Sequence, residues 1–145
     1  MRNNRKRLGR VVLLIVALGI ILVSPQSANA ATVKTVVYEH SFKSLVGLTV
    51  CRHKAITTFT YDGQKLYSSP RGIDTDTWTA LFNHVGSQSE QWDWYLAQQY
   101  GTGRSNSRVA FVFGVPTPWG PVGATTTSRI YTNVNYKGST SAWSP

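Results

Sequence analysis

Cys51 and His53 are the most chemically suggestive pair in the chain. Residues two apart on a strand share a face, so a thiol and an imidazole at this spacing can lie close enough for the imidazolium to lower the thiol pKa and create a nucleophile. A working nucleophile also needs a third group to orient the histidine, and donors for an oxyanion. Neither is identifiable around Cys51, and none of the short cysteine-enzyme signatures surrounds it. A packed cysteine is the simpler reading.

Glycoside hydrolysis requires two carboxylates at a controlled separation. The local candidates are Asp74 with Asp76, and Glu90 with Asp93. Asp74-Thr-Asp-Thr reads more simply as a turn whose side chains bond to the backbone. The six acidic residues are too dispersed for the oxygen-dense loop that calcium demands. His40, His53 and His84 lack the close-spaced ligand pair typical of zinc. No cofactor or metal is therefore expected, and an enzyme acting on carbohydrate or peptide bonds ranks third among the functional readings.

Aromatic residues set among amides are the stronger material. In the run Ser-Arg-Ile-Tyr-Thr-Asn-Val-Asn-Tyr, alternation places Arg129, Tyr131, Asn133 and Asn135 on one strand face. A ring beside carboxamides and a guanidinium is the grouping that stacks on a sugar or peptide and hydrogen-bonds its edges. Trp119, in Pro-Thr-Pro-Trp-Gly-Pro, either joins that surface from a loop or plugs the end of the fold. Trp119, Arg129, Tyr131, Asn133 and Asn135 are the candidate ligand-binding residues. Tyr95 is a further surface candidate, sharing a face with Asp93, Ala97 and Gln99 if that segment is a strand.

The elements that position these residues read as strands. Val109, Phe111, Phe113 and Val115 alternate, as do Ile130, Thr132, Val134 and Tyr136, which is the pattern of sheets with one buried face. Earlier strands are predicted over Val33–His40, over Leu45–His53 with Val46, Leu48 and Val50 inward, and over about Thr75–His84. Asp62-Gly63 predicts a type I′ hairpin, and Thr102–Asn106 a hairpin turn into Val109. For Glu90–Tyr100 a capping-box match at Ser87 and Glu90 favours a helix, whereas alternation of Trp92, Trp94 and Leu96 favours a strand. The flanking strands decide for a strand. The proline-rich segment 115–123 is expected to be a long loop crossing between sheets, and Trp143 to dock the terminal tail on the domain. Together these predict an all-β fold, a small antiparallel β-sandwich, with an open β-barrel as second choice.

The N-terminus carries a basic stretch, a 13-residue apolar run from Val11 to Val23, and small residues at Ala28 and Ala30. That is the plan of a cleaved secretory signal peptide over residues 1–30, followed by a single β-rich domain over 31–145. The apolar run is short of the roughly 20 residues that a spanning helix needs, so no transmembrane segment is expected in the mature chain. Five of the fifteen Lys and Arg residues lie in the first ten positions, so cleavage leaves ten basic against six acidic groups. The remaining cations are scattered, which argues against nucleic acid. One cysteine excludes an internal disulfide. The sequence thus points to a small secreted bacterial protein. Its expected role is non-catalytic binding of cell wall, polysaccharide or an exported protein. The alternative is a secreted antimicrobial or toxin-like effector.

Overall fold

The computed structural model describes residues 29–80, 82–117 and 120–145. These form strands and turns, with β-branched and aromatic residues filling the pleated positions that suit them. β1 (Thr32–Lys43), β2 (Thr49–Tyr61) and β3 (Gly72–Thr79) make one antiparallel sheet in that order. β4 (Asn83–Tyr95), β5 (Thr102–Thr117), β6 (Gly120–Asn135) and β7 (Thr140–Trp143) make the second. The two sheets pack as a small β-sandwich, and of the strand expected over Glu90–Tyr100 the part to Tyr95 belongs to β4, whereas residues 96–100 lie outside any strand. Among the described residues no helix is long and apolar enough to cross a membrane.

The inner faces follow the alternation of the two long C-terminal runs. Val109 and Phe111 of β5, and Ile130, Thr132 and Val134 of β6, are buried. Two apolar clusters result. One gathers Cys51, Val109 and Phe111 with Phe42, Val85 and Phe113. The other gathers Phe59, Leu66 and Val134 with Val36, Tyr61, Trp92, Tyr95 and Tyr136.

A polar seam runs between the sheets. His53, fully buried on β2, places Nδ1 2.9 Å from Ser128 Oγ and Nε2 2.8 Å from Ser107 Oγ. Ser107 Oγ also lies 2.6 Å from Thr75 Oγ1. Ser128 Oγ lies 3.1 Å from His40 Nδ1, which in turn is 2.9 Å from Ser144 Oγ. A second cross-sheet pair joins Thr57 Oγ1 to Ser105 Oγ at 2.8 Å. A neutral imidazole has one donor and one acceptor nitrogen, and hydroxyls serve either role, so the neutral ring is fully satisfied here.

Several sequence expectations need correction. β2 begins at Thr49, and its inward residues are Cys51, His53, Ala55, Thr57 and Phe59. Val46 and Leu48 are 80% and 67% exposed, because Ser44–Leu48 closes as a turn with Ser44 N–H donating to Leu48 O (2.8 Å) and Gly47 at φ +82°. At Asp62-Gly63 only the glycine takes positive φ, which is not the type I′ geometry. Asp62 Oδ1 instead accepts from the Gln64 and Lys65 amides, and the returning arm is reduced to a Tyr61–Leu66 bridge. The run over Thr75–His84 divides, β3 ending at Thr79 and β4 beginning at Asn83 after Phe82 at φ +66°. Thr102–Asn106 lies within β5 rather than in a turn. Segment 115–123 does not cross between sheets: β5 and β6 remain paired to Thr117 and Gly120.

Burial, with the neighbouring His40 adding to it, holds the His53 pKa down at about 4, while Glu90 acts weakly the other way. Below the ordinary imidazole value of 6.5, the unfolded chain therefore binds a proton here that the native state does not. Stability from this group is complete above pH 6.5 and is lost as pH falls toward 4, by roughly 3 kcal/mol in all. Urea unfolding followed between pH 7 and pH 4 should show that loss, and His53→Gln should lack this component of the slope. Equal slopes for the two proteins would mean that the native ring accepts its proton as readily as the unfolded one.

Candidate functional site

The outer face of the four-stranded sheet collects the aromatic and cationic residues. A β-bulge between Trp92 and Trp94 is what turns Trp94 onto it. Trp92 pairs with the inward Ser105, whereas Trp94 pairs with the outward Arg104, so two tryptophans two residues apart serve opposite faces. This overturns the expectation of one face for Trp92, Trp94 and Leu96. It also moves Tyr95 inward, against the core, with its hydroxyl donating to Tyr67 O at 2.7 Å. Burial raises the Tyr95 pKa.

Strand register then sets the face out in rows. Trp94, Arg104, Asn133 and Ser141 lie side by side across β4, β5, β6 and β7. Gln91, Asn106, Tyr131 and Trp143 form the next row, and Ser89, Arg108 and Arg129 the third. Arg104 is the hub. Its guanidinium carbon stands 4.2 Å from the Trp94 ring centre, 5.3 Å from Trp143 and 5.8 Å from Tyr131. Its Nε donates to Asn133 Oδ1 at 3.1 Å. Tyr131 and Trp143 stack at 5.4 Å with a 28° interplanar angle, and Arg129 Nη1 donates to the Tyr131 hydroxyl at 3.1 Å. The expected docking of Trp143 is therefore found, and its partner is Tyr131.

Beside Arg104 an open groove of about 400 Å³ is lined by Trp94, Thr102, Arg104, Asn133, Asn135 and the Ser139–Ser141 segment. Asn135 Oδ1 accepts from the Lys137 and Ser139 amides and so builds the β6–β7 turn that walls the groove. Arg129, Tyr131, Asn133 and Asn135 do share one face, as their spacing predicts, while Trp119 lies outside the described residues. Sequence reasoning missed Trp94, Arg104 and Trp143. The available signal for Arg104 was its parity with Asn106 and Arg108, opposite the buried run from Val109.

The catalytic candidates are not gathered into a reactive set. Cys51 and His53 both face inward, but the two imidazole nitrogens are engaged by Ser128 and Ser107, and burial raises the thiol pKa. Asp74 accepts from the Thr75 amide, and Asp76 pairs with Lys54 at 3.6 Å on the outside of the other sheet. Asp93 Oδ1 accepts from Asn106 Nδ2 at 3.3 Å and stands at the edge of the platform. His84 sits on β4, opposite the outward Val112, away from the paired His40 and His53. Among the described residues no group of three or more His, Cys, Asp or Glu is placed to hold a metal.

No family model, no curated protein and no solved structure matches this chain. A sandwich fold by itself defines no activity. What the outer face offers chemically is a set of ring surfaces, carboxamides, hydroxyls and one central guanidinium around an open groove.

The inertness of Cys51 is directly measurable. In the native protein a thiol reagent at pH 8 should label it at least about a hundredfold more slowly than in the urea-unfolded chain. Comparable rates would mean that the thiol is accessible and that the core around Phe111 opens readily.

Proposed function

We propose that this protein is a secreted, non-catalytic binding module that recognises a cell-envelope polysaccharide through the outer face of its four-stranded sheet. One observation carries the reading: Trp94, Arg104, Tyr131 and Trp143 converge beside a groove walled by Asn133, Asn135 and the Ser139–Ser141 segment. Sugar rings present apolar faces and hydroxyl edges, and this surface offers aromatic and amide partners for both. Trp94 is 39% exposed, so it has area to give. The N-terminal pattern of basic stretch, apolar run and small residues supports export, which would bring the domain to the envelope. An exported protein as ligand is the competing partner.

Co-sedimentation of residues 31–145 with isolated cell walls and insoluble polysaccharides, at two salt concentrations, tests the proposal. Saturable binding that persists in salt and shifts tryptophan emission is expected, and Trp94→Ala or Trp143→Ala should weaken it by about tenfold, the equivalent of one good stacking contact. Wild-type binding that neither substitution affects would remove this face from consideration. Absence of binding to every wall and polysaccharide would turn attention to a protein partner.

A second reading, an antimicrobial or toxin-like effector at the envelope of competing cells, is favoured by a different observation. At one end of the sandwich Leu45, Val46, Leu48 and Phe82 are exposed, and the only charge on the Lys43–Val50 turn segment is the cationic Lys43. An apolar tip beside a cation suits a membrane interface. If this reading holds, the purified protein should inhibit indicator strains, and Leu45→Ser with Val46→Ser should abolish the inhibition. A wild type without effect on growth would dismiss it.

A further inference from the structure

The groove beside Arg104 contains a charge without a counter-charge. Of its lining residues only Arg104 is ionic, and the rest are Trp94, amides, hydroxyl side chains and backbone. The ion pairs among the described residues join Glu39 to Arg52 and Lys54, and Lys54 to Asp76, all on the other sheet. Arg104 therefore meets no carboxylate within ion-pair distance. Its surroundings fix it firmly nonetheless, through the Trp94 ring at 4.2 Å and the Asn133 carbonyl at 3.1 Å from Nε.

That arrangement has directional content. A guanidinium presents two forks, and the Nε bond to Asn133 occupies the inner one. The remaining edge carries two parallel N–H groups from Nη1 and Nη2, the geometry that matches a planar carboxylate in a bidentate pair. The next rows of the face carry Arg108 directly opposite Arg129, like charges at a cross-strand position that is ordinarily unfavourable. An anionic polymer lying across the rows would relieve that repulsion.

Resting on the glycan-binding reading of this face, we infer that the ligand is an acidic polysaccharide whose uronate carboxylate pairs with the Nη edge of Arg104. The sugar ring lies along Trp94, and its hydroxyls meet Asn133 and the Ser139–Ser141 segment. Arg108 and Arg129 attract the neighbouring carboxylates of the polymer.

The test compares each of polygalacturonate, alginate and hyaluronan with its carboxyl-reduced form, by affinity electrophoresis and titration of tryptophan emission. Wild-type protein should bind at least one acidic polymer ten or more times more tightly than the reduced form. Arg104→Gln should erase the preference while leaving residual binding. Arg104→Lys, which keeps the charge but not the fork, should restore only part of it, and Arg108→Gln should reduce affinity without erasing the preference. Near-UV circular dichroism matching the wild type certifies that each variant is folded. Equal binding of acidic and reduced polymers by the wild type would overturn the carboxylate inference and leave the glycan reading standing. A preference that survives Arg104→Gln would overturn the role of Arg104. Failure of the wild type to bind any of these polymers, charged or reduced, overturns the carboxylate inference. The glycan reading then falls only if the cell walls and insoluble polysaccharides are also left unbound.

Discussion

The sandwich depends on a histidine placed between two serines. His53 reaches from the three-stranded sheet to Ser107 on β5 and Ser128 on β6, and the chain of contacts continues to Thr75 on β3, His40 on β1 and Ser144 in the tail. Apolar packing on either side of this seam is non-directional, and many relative positions of two sheets would bury similar area. The seam is directional. Sliding either sheet by one residue would leave an imidazole and two hydroxyls buried without partners, each omission worth about 1–3 kcal/mol. Within the four-stranded sheet the parity that turns Ser107 and Ser128 inward keeps Arg108 and Arg129 on the outer face. The polar residues thus select one alignment from those the apolar clusters would tolerate.

That alignment reaches the outer face through the C-terminal tail. Ser144 is tied to His40, and β7 immediately before it is paired to β6 with Trp143 opposite Tyr131. The tail is anchored toward the sandwich interior by Ser144 and on the outer face by the contacts of Trp143 with Tyr131 and Arg104, so the ring that completes the platform is held partly from inside the sandwich. At the opposite edge, the bulge between Trp92 and Trp94 does equivalent work. It commits Trp92 and Tyr95 to the core while delivering Trp94 to Arg104. Both edges of the platform are therefore fixed by features whose other half lies in the core.

This explains which parts were legible in the sequence. The faces of β5 and β6 could be read directly, since Val109 with Phe111 and Ile130 with Val134 alternate without interruption, and the parity that buries them exposes Arg129, Tyr131 and Asn133. Trp94 could not be read, because one bulged residue inverts parity and nothing in Trp-Asp-Trp-Tyr announces it. β2 misled for a related reason. Its most apolar stretch, Leu45–Val50, is largely a turn, whereas its inward positions include Cys51, His53 and Thr57, residues that read as chemistry or as surface. The segment 115–123 misled by composition. Prolines that argue against a central strand are tolerated at the far end of a two-stranded hairpin, where ladder bonds are fewest.

The arginine at the centre of the platform admits two accounts, and its surroundings distinguish them. A purely structural cation–π ladder would be satisfied by ring contacts, each contributing about 0.5–2 kcal/mol, and would place the guanidinium wherever ring overlap is greatest. Arg104 has the Trp94 ring contact and is also held by its Nε, with its charge at the rim of a groove whose lining contains no acid. Where this fold does neutralise its cations, it does so on the opposite sheet, around Glu39 and Asp76. One outer face is thus internally balanced in charge, and the other retains three guanidiniums with no carboxylate in ion-pair range. Arg108 facing Arg129 across β5 and β6 works against stability rather than for it, and the three guanidiniums give this face a positive potential.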